Sequence, residues 1–310
     1  MYTIEEVKTV IGESPIWNSN TQSLVWVEAA GKEVFEYSTN TKRIHHYHLP
    51  FEVTAVVPCD NNHWIFASKQ GLFYSTPRFA HFTPIGDPCA NAAHLHLNDA
   101  VAAPNGELWF GSMNCQQLES ADGKLFKLSE QQITALDDGF SVANGIAFNA
   151  ELKRAYCSNM FQRKVYEYQL DESMTRILDK RIFVEFSDKQ GFPDGLSVDQ
   201  AGNLYVCHWE NGGISYYRSS RFEIGKGEKL GQISLPVKHA TRCTFGGDDY
   251  ATLFVTTASY ELTTYEQQLY PLSGQLFILE SPTKGSPEHM VKAESLIPAV
   301  KERTELTSWN

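Results

Sequence analysis

Asn98-Asp99-Ala100-Val101-Ala102-Ala103-Pro104-Asn105-Gly106-Glu107-Leu108-Trp109-Phe110-Gly111 decides the architecture of this chain. Two polar residues open a short apolar run. A Pro-Asn-Gly turn follows, then an aromatic-rich run, and a third run at Gly123 to Leu128. Proline presets φ and glycine supplies positive φ, so the middle of the stretch is a turn with a mechanism. The runs are too short and too β-rich for helices, and no 3.6-residue apolar stripe is sustained.

The same unit recurs on both sides. Upstream it reads Gly12-Glu13-Ser14-Pro15-Ile16-Trp17 with Leu24 to Val27 and Val34 to Tyr37, then Thr54 to Val57 with Trp64 to Ala67 and Gly71 to Tyr74. Downstream it reads Asn144-Gly145-Ile146-Ala147-Phe148, then Asp194-Gly195-Leu196-Ser197-Val198, then Cys243-Thr244-Phe245, each followed by two more runs. The copies begin roughly 40–50 residues apart, the period of propeller blades. The chain is therefore expected to be an all-β, six-bladed β-propeller with four-stranded blades, forming one domain over residues 1–310. A lone blade would expose its edges and an apolar face; a ring of six buries both. Thr3 to Val7 precede the first copy and are expected to add an outer strand to the last blade, closing the ring. The tail after about Ile297 is charged and has no evident partner.

Composition bounds the function. Lys and Arg number 26 against 37 Asp and Glu, a net charge of −11, and no basic cluster stands out. A phosphate-neutralising surface is not expected, so no nucleic-acid partner is. No apolar run is long enough for a bilayer, so no membrane partner is expected. Met1 to Glu6 lack a basic n-region and an apolar h-region, which points to a cytoplasmic protein. The six cysteines show no metal-like spacing and are expected to be buried free thiols. No Gly-x-Ser-x-Gly, His-Glu-x-x-His or phosphate-loop motif is present.

In a propeller the first strand of each blade lines the channel. Its opening residues here are Glu13, Asn98-Asp99, Asn144 and Asp194, with a glycine beside three of the four. Any single Asn-Gly or Asp-Gly is most simply a turn former. Four equivalent positions carrying only carboxylates and amides shift the reading toward chemistry. Glu13, Asp194 and an amide oxygen from Asn144 would make an all-oxygen cation site. His45, His46 and His48 are expected to lie on a solvated strand or loop. Trp209 either walls the pocket or packs a blade, and Met113 is expected in the core.

With those motifs quoted, the chain resembles the SMP-30/gluconolactonase/regucalcin-like family over nearly its whole length. Further matching stretches are Pro193-Asp194-Gly195 with Asp199, Gly111-Ser112-Met113, and Phe245-Gly246-Gly247 with Leu253 to Thr256. The resemblance implies a six-bladed metal-dependent sugar lactonase. It places Glu13, Asn144 and Asp194 on three metal ligands, Asp194 also on the general base, and Asn98 on a substrate contact. Asp99 is a second candidate base. The sequence departs from the family at His96, where an Arg is usual, at Ala100, where Gly is usual, and at His239-Ala240-Thr241, where Arg-Pro-Thr is common. His96 is thus either a substrate-binding residue or a filler, and these departures alter the substrate-facing rim more than the metal set. The expected partner is a small sugar lactone. The expected cofactor is one divalent ion, with Ca, Zn, Mg, Mn and Fe(II) all open, as is the oligomeric state. The alternatives are a non-catalytic calcium-binding or regulatory propeller and a propeller esterase of broader specificity.

Overall fold

The computed structural model describes residues 1–296. The expectation for the tail after Ile297 lies outside the described residues.

Six four-stranded antiparallel sheets form the blades. Their innermost strands are Gly12–Asn18, Val53–Pro58, Leu95–Ala102, Ala143–Asn149, Phe192–Val198 and His239–Gly246. Each inner strand packs against the inner strands of the blades before and after it, and blade 6 returns to blade 1, so the ring is closed. Closure is by the chain's own start. Tyr2–Ile4 pairs antiparallel with Leu276–Glu280 as the outer strand of blade 6, with Tyr2 opposite Ile278 and Ile4 opposite Leu276.

The apolar runs are inner and middle strands for a physical reason. Each sheet is covered on both faces, so its central strands read as nearly continuous apolar runs. Every residue of Ala143–Asn149 and of Arg154–Asn159 is buried. Most buried apolar side chains among the described residues fall into six clusters, each spanning two neighbouring blades. Trp17 of blade 1 stacks on Phe254 of blade 6 at 5.3 Å, and Trp109 of blade 3 meets Phe148 of blade 4 edge-on at 5.1 Å. The outer strands behave differently. Ile44–His48, Gln132–Phe140 and Gly227–Ser234 are largely exposed and polar, which is why the sequence marks three runs per repeat and not four.

Three details differ from expectation. The inner strand of blade 6 begins at His239, four residues before Cys243, and so contains Arg242. All six cysteines are free, but Cys115 is exposed, not buried. Met113 is only half-buried, opposite His96 in the ladder and next to the last residue of its strand. His45, His46 and His48 lie on an outer strand as expected, with His46 stacked on Phe35. After Glu280 the chain crosses the mouth where the inner strands end. The Lys284 carbonyl accepts from Gln200 N, while Val291 N and Lys292 N donate to the carbonyls of Pro58 and Gly106. Among the described residues no helix is long and apolar enough to cross a membrane.

Candidate functional site

The site grows out of an irregularity shared by all six blades. The ladder between inner and second strand shifts register between Glu13 and Ile16, Val53 and Ala55, Leu97 and Ala100, Asn144 and Ala147, Pro193 and Leu196, and Ala240 and Arg242. A bulge leaves a residue out of the ladder, bends the strand and re-aims its side chain. Six bulges at one level of the channel therefore gather polar side chains that a regular strand would bury between sheets. Ser14 and Gly145 take positive φ at two of these bulges, 52° in each case.

The bulges bring together Glu13, Asp99, Asn144, Asp194 and Arg242. Asn144 is 6% and Asp194 2% exposed, whereas Glu13 is half-buried. Asn144 Nδ2 donates to Asp194 Oδ1, and Asn144 Oδ1 accepts from Gly145 N at 2.9 Å. Blades 4 and 5 approach this closely because position 145 has no side chain: a Cβ there would stand 2.2 Å from the Asp194 carbonyl oxygen. Glu13 Oε2 accepts from Ser14 N at 2.9 Å. Asp99 accepts from Ala100 N at 2.8 Å, from Ile146 N at 3.3 Å, and from Arg242 Nη1 at 2.5 Å.

Three carboxylates thus share one guanidinium. Burial, then the charge of Asp99, pushes the Glu13 carboxyl well above the usual carboxylate range. Burial, then Glu13 and Asp99, does the same to Asp194. Each charge is costly where it stands, and an added cation would relieve that cost. The donors suit an oxygen-seeking divalent ion: two carboxylates and an amide that offers its oxygen by a half-turn about its last bond. Among the described residues no group of three or more His, Cys, Asp or Glu is arranged to hold a metal ion, so the cation reading depends on Asn144 as a ligand.

The remaining expected residues fall on the rim. Asn98 is half-buried, with Nδ2 directed at the Ala143 carbonyl 3.5 Å away. His96 is half-buried and its Nδ1 lies 2.7 Å from the Leu97 carbonyl; burial lowers its pKa. Lys69 and Glu52 of blade 2 act on the His96 ring electrostatically, and no hydrogen bond among the described residues joins it to the carboxylates. His239 is buried, stacks on Trp209 at 4.0 Å and accepts from Glu210 N, so both aromatic rings pack blades 5 and 6 together. Arg242 is the residue that reading the sequence missed. A charged side chain inside the β-rich stretch Ala240 to Phe245 needs a partner if that stretch is buried, and that was the available signal.

A model of the SMP-30/Gluconolactonase/LRE-like region matches residues 11–259. The chain belongs to this family.

Its relatives include a pentonolactonase from Haloferax volcanii, 28% identical over 90% of this chain and 93% of that protein. A 6-deoxy-6-sulfogluconolactonase from Pseudomonas putida is 26% identical over 90% of this chain and 94% of that protein. Among solved structures, a regucalcin from Agrobacterium tumefaciens, described as a calcium-binding protein, superposes with a TM-score of 0.86. It is 22% identical, covering 93% of this chain and 96% of that one, and it shows the shared fold.

Proposed function

We propose that this protein hydrolyses a sugar lactone with a divalent cation held by Glu13, Asn144 and Asp194. The observation that carries the reading is the convergence of three bulged inner strands on two carboxylates and an amide. Membership in a family that includes proteins named as lactonases supports it.

A lactone is a cyclic ester, so its opening needs a polarised carbonyl, an activated water and a place for that water's proton. A bound divalent cation supplies Lewis acidity at the carbonyl and makes water easier to deprotonate. Asp194 takes the proton at a carboxylate oxygen. Asp99 is the weaker candidate base, because Ala100 N, Ile146 N and Arg242 already engage its two oxygens. Asn98, at the rim, orients ring hydroxyls with its amide. Burial disfavours the charged form of His96; in the neutral ring with Nδ1–H donating to the Leu97 carbonyl, Nε2 is left as an acceptor for a substrate hydroxyl. An arginine in that position would offer a rigid fork of donors instead, so His96 is assigned to substrate selection.

The test is ester opening across a panel of sugar lactones, with chelator and with added Ca, Mg, Mn, Zn or Fe(II). Turnover that vanishes on chelation and returns with metal is expected. A metal-loaded protein inert toward the whole panel would overturn the enzyme reading and leave a cation-binding propeller. Activity indifferent to chelator would remove the cation, and aryl esters turned over at matching rates would point to a broader esterase.

A further inference from the structure

Arg242 crosses the channel in a way that the lactonase reading does not require. It leaves the inner strand of blade 6 and runs past blade 5 to an aspartate of blade 3. A Cβ on Gly195 would meet Arg242 Cβ at 2.5 Å and Cγ at 2.6 Å, so the bare glycine beside Asp194 is the groove through which the arginine passes. Its Nη1 ends 2.5 Å from Asp99 Oδ1 and its Nη2 lies 3.4 Å from the Ile146 carbonyl in blade 4. Both members of the pair are nearly sealed from solvent, with side chains 6% and 5% exposed. A cavity of about 200 Å³ is bordered by Arg242, Glu288 and His289, and Glu288 is engaged by the Thr244 hydroxyl at 2.6 Å.

We propose that Arg242 sets the charge of the cation site. Fully ionised, as a bound cation would require, Glu13, Asp99 and Asp194 would bring three negative charges to one level of the channel. Arg242 cancels that of Asp99, leaving two, held by Glu13 and Asp194, to face a divalent ion. Without the guanidinium the site would hold a divalent ion more tightly and a trivalent ion more tightly still, because attraction scales with both charges in a poorly screened interior. Arg242 is in this sense a positioning residue: it is not among the proposed cation ligands, and it acts through Asp99 and through the field it imposes. The inference rests on the cation reading above.

The test measures binding, not turnover. Calcium and terbium(III) are titrated into the full chain by calorimetry and terbium luminescence, for wild type, Arg242→Met, Asp99→Asn and the double variant. Methionine keeps the stem in the Gly195 groove, and asparagine keeps an acceptor for Ala100 N. Arg242→Met is expected to tighten calcium by about tenfold or more, and terbium by a larger factor. Asp99→Asn should weaken calcium by about tenfold, and the double variant should return to within about threefold of wild type. A folded Arg242→Met that binds both ions no more tightly than wild type overturns the proposal. So does a double variant that behaves like Asp99→Asn. Should Arg242→Met fail to fold, the comparison of Asp99→Asn with the double variant decides, since a pure brace would lose affinity in both. A wild type that binds neither ion defeats the cation reading itself, whereas divergence from the expected order in a cation-binding wild type defeats only the role of Arg242.

Discussion

Asp194 holds two demands in one side chain. Its burial and its neighbours disfavour the charge, while the proposed chemistry needs that charge for cation and proton. Asp194→Asn should therefore separate stability from activity. Turnover is expected to fall by about 10²–10⁴-fold, while the melting temperature of the cation-free protein holds or rises, since a neutral amide escapes the repulsion from Glu13. Wild-type turnover in the folded variant would defeat the assignment. Gly195 makes the complementary point. As Asp-Gly it reads as a turn, yet what it supplies is room. Gly195→Ala would set a methyl 2.6 Å from the Thr241 carbonyl oxygen as well as against Arg242, at a cost of about 1–3 kcal/mol in chemical denaturation. An unchanged midpoint would show that the arginine can move aside.

At the scale of the strand, the repeat was legible and its details were not. Trp109 and Phe110, or Tyr205 and Val206, announce middle strands because they are buried on both faces. Strands such as Gln132–Phe140 carry mixed polar residues because one side faces water, so their sequence resembles a loop. The bulges were equally hidden, since they follow from how six strands crowd around one axis. The closing strand is short but has a clear mechanical task. Removing residues 1–5 should uncover the edge of Leu276–Glu280 and empty the place of buried Ile4. A fall of about 5 °C or more in melting temperature is expected, with more aggregation through the open edge. A melting curve that does not shift would mean the ring is held by blade contacts alone.

For the whole molecule, stability is distributed around a ring of six interfaces, and charged groups are fitted into it at a cost that varies with pH. His208 lies fully buried beside Phe186, and burial pushes its pKa down to about 4. The folded protein therefore holds fewer protons on this ring than the unfolded chain between about pH 4 and 6.5, and stability is lost as pH falls through that window. Glu13 and Asp194 act in the opposite direction. Their raised values make the cation-free fold hold more protons than the unfolded chain above the ordinary carboxylate range, so their contribution falls as pH rises. The two trends overlap, and His208→Met separates them. Relative to wild type, the variant should gain up to about 3 kcal/mol between pH 6.5 and 4 by denaturant titration. A difference that stays flat with pH would show that His208 does not titrate on unfolding.

The sequence by itself determined the blade count, the closing strand and the polar opening of four inner strands. These are local or periodic properties: turn residues, β-rich runs and their spacing survive in one dimension. Tertiary structure alone decided which of those polar groups meet. Glu13 and Asp194 are far apart in the chain and neighbours only because the ring closes. Asp99 and Arg242 come from the inner strands of blades 3 and 6, and the arginine reaches its partner past the room that Gly195 leaves. Charge pairing across a channel depends on distances in space, and no residue spacing records those.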